Sequence, residues 1–578
     1  MAPSSLPLFR SPSSRSSKIL LIIFIVSAFL ILASVVFGVL FKDNKLGKKN
    51  RCSTGDSSLP APAAHQTVVS VVVSACKATR NPDSCRSSIL ESGNVSNQGS
   101  PVDVILSAVA MCSDKATAVK SNLESVMSSS SNQNVSRVAK LCLEFAGYSQ
   151  RRMSLVNESI QSGRVKTARA WLSASLSYAF DCSKGFKFYV GDTSSIVETM
   201  TMLKNLENDV ESALSMLVAY DLHGNDTTFW NPPRTERDGF WEIPKEGNDT
   251  VFDSQFPSNL TVDAVVCKET TNGCYATVQE AVDAVPQNAL GERFVIRIKE
   301  GIYEEIVRIP FDKKNVVFVG DGMNKTVISG SRSVTQPGIT TYDSATVGVM
   351  GDGFMAINMT FRNTAGSAAF QAVAFRSGSD RSFLYNCEFI GNQDTLYAHS
   401  LRQYYKSCKI QGNIDFIFGN AAAMFENCWI HIASSGGILS KSTNVICASG
   451  RMHPSQSTGF VFRNCTINST DQNVGGSLKR AYLGRPWKEY ARTVYINCEV
   501  GGVISPEGWM PWEGDHALRT LYYGEFGNLG AGSNTSGRVP WSREIPAQNL
   551  SAYSVQNFIQ GNEWLPSTNV TGSPIYFY

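Results

Sequence analysis

Residues 413–420 read NIDFIFGN, with Asp415 set among Ile414, Phe416, Ile417 and Phe418. A carboxylate in so apolar a run is paired, hydrogen-bonded or wanted for chemistry, because an isolated buried charge is costly. Asp394, in NQDTL, lies 21 residues earlier, and Gln371, in FQAVAFR, lies 22 residues before Gln393. If each step is one coil of a repeating strand structure, a strand spacing of about 4.8 Å gathers two carboxylates and two amides into one cluster. Two adjacent carboxylates resist joint ionisation, so one stays protonated as an acid and the other stays charged. The charged one can act as nucleophile or base, and the NH2 groups of two glutamines can donate to an oxyanion. Paired carboxylates also suit glycoside hydrolysis. The glutamines favour acyl chemistry, in which a tetrahedral oxyanion must be held. Downstream, YLGRPWKEY offers Arg485 to pair with Asp415 and Trp487 to stack on a sugar ring. The same RPW sequence also reads as a loop anchor.

The elements that must position these residues show themselves from about residue 261 onward. Short Val/Ile/Phe runs alternate with Gly and Asn, and a repeat recurs: FLYNCEF at 383, YYKSCKI at 404, MFENCWI at 424, FVFRNCTI at 460 and TVYINCEV at 493. Cys387, Cys408 and Cys428 are spaced by 21 and 20 residues. A period near 20 with one strand set per repeat predicts a solenoid of parallel strands, a β-helix. The later spacings of 37 to Cys465 and 33 to Cys498 imply insertions in loops. These cysteines read as an interior ladder of small side chains; for Cys408 and Cys428 a disulfide between adjacent coils is also open.

Residues 65–220 have a different texture. They are rich in Ser, Ala, Leu and Val with apolar positions at helical spacing, and predict an all-α helical bundle. Val102, Ile105, Leu106 and Val109 make one stripe; Leu203, Leu206, Val210, Leu214 and Leu217 make another. Cys112 reads as a small buried hydrophobe. Residues 221–260 hold Trp230, Pro232, Pro233, Trp241, Pro244 and Pro257 with mixed charge, and read as a partly ordered linker.

Ile19–Phe41 is an uncharged run long enough to cross a bilayer once and longer than the usual signal-peptide core. It reads as an uncleaved signal anchor in preference to a cleaved long signal, after a short tail, residues 1–18. Basic residues flank both ends, so they do not fix orientation. Sequons such as Asn94, Asn134, Asn259 and Asn534 place the rest outside the cytoplasm, where 14 cysteines read as disulfides plus buried thiols. A net charge of +3 is too mild to indicate nucleic acid as a partner, though it tolerates an acidic polymer. The histidines, among them His399 and His453, show no metal-ligand spacing, and the chain has no GxSxG, P-loop or GxGxxG motif.

From about Thr261 to the C-terminus the chain resembles plant pectin methylesterases. The matching segments are GIYEE (301–305), TTYDSATV (340–347), QAVAFR (371–376), GNQDTL (391–396), IDFIFGNAA (414–422) and LGRPW (483–487). The first domain resembles the pectin methylesterase inhibitor family, a four-helix bundle with cysteine pairs at the spacings of Cys76/Cys85 and Cys142/Cys182. The resemblance implies a right-handed parallel β-helix over 261–578 that hydrolyses methyl esters of pectin (homogalacturonan) in the cell wall, without metal or organic cofactor. It implies Asp415 as nucleophile, Asp394 as general acid and then base, and Gln393 with Gln371 as oxyanion donors. Arg485 would orient the nucleophile, with Thr341, Gln371, Arg485 and Trp487 meeting substrate. It further implies an intramolecular contact in which the inhibitor-like domain restrains the esterase. Two departures stand out. The linker lacks the dibasic pair followed by two leucines at which the family is processed. The start of the second domain, VVCKETTNGCYATVQ, carries Cys267 and Cys274, which could form a local disulfide.

Overall fold

The computed structural model describes residues 63–93, 99–187, 194–242, 256–257, 260–269, 273–288, 291–433, 443–469 and 481–565. The expected anchor at 19–41 lies outside the described residues. Among the described residues no helix is long and apolar enough to cross a membrane.

Two short helices, Ala63–Cys76 (α1) and Pro82–Glu91 (α2), form a hairpin joined by the Cys76–Cys85 disulfide. Four long helices follow: Pro101–Ser129 (α3), Gln133–Ser154 (α4), Val165–Lys187 (α6) and Ser194–His223 (α7), with the short Val156–Gln161 (α5) between α4 and α6. The long helices pack α3 on α4, α4 on α6, α6 on α7 and α7 on α3, closing a four-helix bundle. Helix α3 starts where Ser100 accepts from the Asp103 N–H and the Asp103 carboxylate accepts from the Ser100 N–H, with Pro101 in the first turn. Its buried stripe is Val104, Ile105, Ala108, Val109 and Cys112, while Val102 and Leu106 are only partly covered. Leu203, Leu206, Val210, Leu214 and Leu217 of α7 are all buried. The Cys142–Cys182 disulfide ties α4 to α6.

The remainder winds through three all-parallel sheets of 11, 7 and 8 strands, the central coils adding a strand to each sheet. Asn358, Asn386, Ser407, Asn427, Asn464 and Asn497 occupy corners of successive coils in the left-handed backbone region, which a short polar side chain tolerates. Five of them directly precede Cys387, Cys408, Cys428, Cys465 and Cys498, which explains the polar–Cys pairs of the repeat. Inside the coil, Tyr405, Phe425, Phe462 and Tyr495 stack with centroids 4.8, 4.7 and 4.4 Å apart.

The cysteine ladder corrects one expectation: Cys408 and Cys428 are free buried thiols, not a disulfide. They precede the in-register pairs Lys409↔Trp429 and Ile410↔Ile430. On neighbouring in-register strands the Cβ vectors run parallel at strand spacing, whereas a disulfide needs them to converge. The thiols instead donate along the coil, Cys408 to the Leu384 and Lys406 carbonyls at 3.4 Å and Cys428 to Glu426 O at 3.3 Å. Cys267 and Cys274 are bonded, and Cys112 is a free buried thiol.

Candidate active site

The seven-stranded sheet carries the site. Its strands, in chain order, are Val307–Ile309 (β1), Val347–Val349 (β2), Phe375–Ser377 (β3), Leu396–Ala398 (β4), Ile414–Gly419 (β5), Asn444–Ser449 (β6) and Ala481–Pro486 (β7). Leu396 of β4 pairs with Ile417 of β5, so Asp394 and Asp415, each two residues earlier, are neighbours on adjacent coils. Asp394 N–H donates to Ile414 O at 3.1 Å, and Ala372 N–H to Gln393 O at 3.2 Å, which draws the Gln371 segment into the same cluster.

A break in pleating aims Asp415. Between β5 and β6, Ile414 pairs with Val445 and Ile417 with Cys447, so two residues of β5 face one of β6. This bulge, with Asp415 at φ +48°, shifts the in/out alternation. Phe416 and Ile417 both enter the core, while Asp415 and Phe418 line the cleft. That is how so apolar a strand carries a carboxylate. Asp394 is likewise left-handed, at φ +64°.

Arg485 holds Asp415 from two strands away. Phe418, Ala448 and Arg485 occupy one register row across β5, β6 and β7, and the short Ala448 side chain leaves Arg485 room to reach back. Its Nε donates to Oδ1 at 2.9 Å and its Nη2 to Oδ2 at 2.7 Å. The Trp512 ring lies 4.4 Å from the guanidinium carbon. Burial pushes both carboxyls above the usual carboxylate range. On Asp415 it is opposed by the hydrogen bonds and charge of Arg485. On Asp394 it is reinforced by the Asp415 charge, and that group goes well above the range. Asp394 thus keeps its proton to higher pH than Asp415, the division of labour that acid and nucleophile require.

Gln371, Gln393, Asp394, Asp415, Arg485, Thr341 and Trp487 all line one cavity of about 560 Å³. Trp487 lies against Gly450, where an added Cβ would come within 2.9 Å of the ring. Tyr397, Phe418 and Trp512 also line it, Tyr397 stacked on Phe418 at 4.2 Å. The sequence reading missed these three, although Tyr397 and Phe418 stand three residues after Asp394 and Asp415.

The bundle roofs this cavity. Val138, Leu141, Cys142 and Phe145 of α4 and Asp181, Lys184 and Gly185 of α6 complete its lining. Around the rim, Arg152 donates to the Asp352 carboxylate (Nη2 to Oδ1, 2.7 Å), and Trp171 donates to Asp380 at 3.3 Å. His399 Nε2 meets Asp181 Oδ2 at 3.0 Å, and Gln456 Nε2 donates to Ser173 O at 3.0 Å. Phe145 packs edge-on to Tyr342 and stacks with Tyr178.

A family model described as Pectinesterase matches residues 263–562, more than half the chain. The chain belongs to the pectinesterase family. A second model, Plant invertase/pectin methylesterase inhibitor, matches residues 70–218, within the helical part of this pectinesterase-family chain. The "Probable pectinesterase/pectinesterase inhibitor 64" of Arabidopsis thaliana is 53% identical over 507 residues, covering 86% of this chain and 84% of its own length. "Pectinesterase 2" of Citrus sinensis is 38% identical over 504 residues, 86% of this chain and 94% of its own. The solved pectin methylesterase from carrot aligns with a TM-score of 0.52 at 45% identity, over 55% of this chain and 99% of its own.

Proposed function

We propose that this chain is a pectin methylesterase that converts methyl esters of homogalacturonan to free carboxylates and methanol, and that its own helical bundle holds the enzyme inactive. The observation that carries the reading is the pair of buried carboxyls on adjacent coils, one gripped by Arg485 and the other pushed well above the usual carboxylate range by burial and its neighbour's charge.

The Asp415 carboxylate attacks the ester carbonyl carbon, and the tetrahedral oxyanion accepts hydrogen bonds from the side-chain amides of Gln371 and Gln393. As the C–O bond to methoxide breaks, Asp394 gives it a proton and methanol leaves. Asp394, now ionised, takes a proton from water, which attacks the acyl-aspartate and restores both carboxyls. Thr341, Gln371, Arg485 and Trp487 hold the polymer. Steric exclusion by α4 and α6 supports the inhibitory role, because no polysaccharide chain can lie along a cleft that the bundle roofs. We further propose that residues 19–41 anchor the protein in a secretory-pathway membrane with everything after them on the wall side; recovery of the protein in the soluble fraction after alkaline carbonate washing would refute the anchor.

The test is methanol release from highly methylated pectin. Residues 261–578 should release methanol without new reducing ends, residues 52–578 should release much less, and Asp415→Asn should silence both. Equal rates from the two lengths would sink the inhibitory role, and new reducing ends would point to a glycosidase.

A further inference from the structure

The stretch between bundle and β-helix makes contacts to both, well beyond what a tether needs. On the β-helix side, Glu236 Oε1 accepts from Arg492 Nη1 at 2.8 Å and from Tyr553 OH at 3.4 Å. Both partners of the Glu236–Arg492 pair are about nine-tenths buried. Arg237 Nη1 donates to Trp541 O at 2.9 Å, and Trp241 meets the Tyr522 and Tyr553 rings edge-on at 5.6 and 6.1 Å. On the bundle side, Glu242 accepts from Arg169 (Nη2 to Oε1, 2.6 Å) and from Lys166 at 2.9 Å. Arg169 also pairs with Asp221 of α7 at 2.6 Å. These cations hold the Glu242 carboxyl well below its usual range. Thr235 and Asp238 brace the turn between the two sides through a reciprocal cap.

We infer that residues 235–242 are a docking strap whose partner surface is the Arg492–Tyr553–Trp541 region of the β-helix, so that the bundle stays bound as a separate subunit when the chain is severed beyond Glu242. Cutting within 243–255 leaves the strap covalently on the bundle and every contact above intact. Removing Glu236 alone strands the buried Arg492 charge away from water, which costs far more than losing an exposed pair. Activation then needs dissociation as well as a cut. Its catalytic consequence rests on the inhibitory role proposed above, whereas retention itself does not.

The experiment places a site-specific protease sequence within 243–255 of the secreted protein, residues 52–578, and cuts it to completion. The two fragments should co-elute on gel filtration at micromolar concentration, and methanol release should stay at the uncut level. In the Glu236→Ala, Arg237→Ala double variant, release of the cut bundle should be at least tenfold faster; a cooperative melt of the uncut variant shows that it folds. Separation of the unsubstituted fragments, or an equal off-rate for the double variant, would overturn the strap. An inactive separated β-helix would count against the esterase reading instead and leave retention standing.

Discussion

Two columns run along the same solenoid, and each stacks chemically similar side chains on neighbouring coils. One is interior: Cys387, Cys408, Cys428, Cys465 and Cys498. The other faces the cleft: Asp394 and Asp415. Burial acts on both in the same direction, raising the Cys387 thiol to about 12 and both aspartates above the carboxylate range. The interior column meets backbone carbonyls and its own neighbouring thiols, and no cation is among the partners of Cys387, Cys428, Cys465 or Cys498. The cleft column has one guanidinium, and it grips one carboxylate of the two. Stacking alone therefore makes a core; stacking with a single unevenly placed cation makes a pair with unequal proton affinities.

The difference can be broken most completely at the gripped member. Asp415→Asn leaves the shape and removes the proposed nucleophile, so kcat for methanol release from the 261–578 domain should fall by at least about a thousandfold. Moving a carboxylate into the other column is the converse: Cys428→Asp has no guanidinium to meet it and should cost about 3–5 kcal/mol by denaturant unfolding. Gln393→Ala, which removes an oxyanion donor and no charge, should lower kcat by about a hundredfold, or about 2.7 kcal/mol. The smallest effect sharpens the asymmetry through pH. The Asp394 pKa is raised in the folded protein, so the folded state binds that proton more tightly than the unfolded chain does. Its contribution to stability is complete below the unfolded value of about 3.9 and is lost, at up to about 1.4 kcal/mol per pH unit, as pH rises through the folded value. Asp394→Asn should thus melt higher than the parent at neutral pH, and the gap should close near pH 4. A parent advantage that grows with pH would contradict the assignment.

Much of this was legible in the sequence because the solenoid is periodic. The 21- and 20-residue spacing of the cysteines gave the coil length, and that length gathers Gln371, Gln393, Asp394 and Asp415 into one cleft. The same period misled at Cys408 and Cys428, since closeness on parallel strands is not convergence of Cβ vectors. The bulge at Asp415 leaves no trace in a hydrophobicity pattern, although it decides which way the carboxylate points. The long-range contacts of residues 235–242 left no trace in the sequence. Glu236, Arg237 and Glu242 look like solvated linker charges, and their partners lie between 73 and 317 residues away along the chain. Contacts between folded parts depend on how surfaces meet, which no local spacing encodes.

The corner asparagines have a consequence for how such a molecule diversifies. Between Cys428 and Cys465 the chain holds more residues than one coil needs, yet Trp429 still pairs with Thr466 and Met424 with Val461. The flanking rungs keep their register across that extra sequence. Segments between rungs are therefore free to lengthen or change over evolutionary time while Asp394 and Asp415 stay in register. Preference for one pattern of esters over another can drift in descendants of this chain without passing through a form that has lost its chemistry.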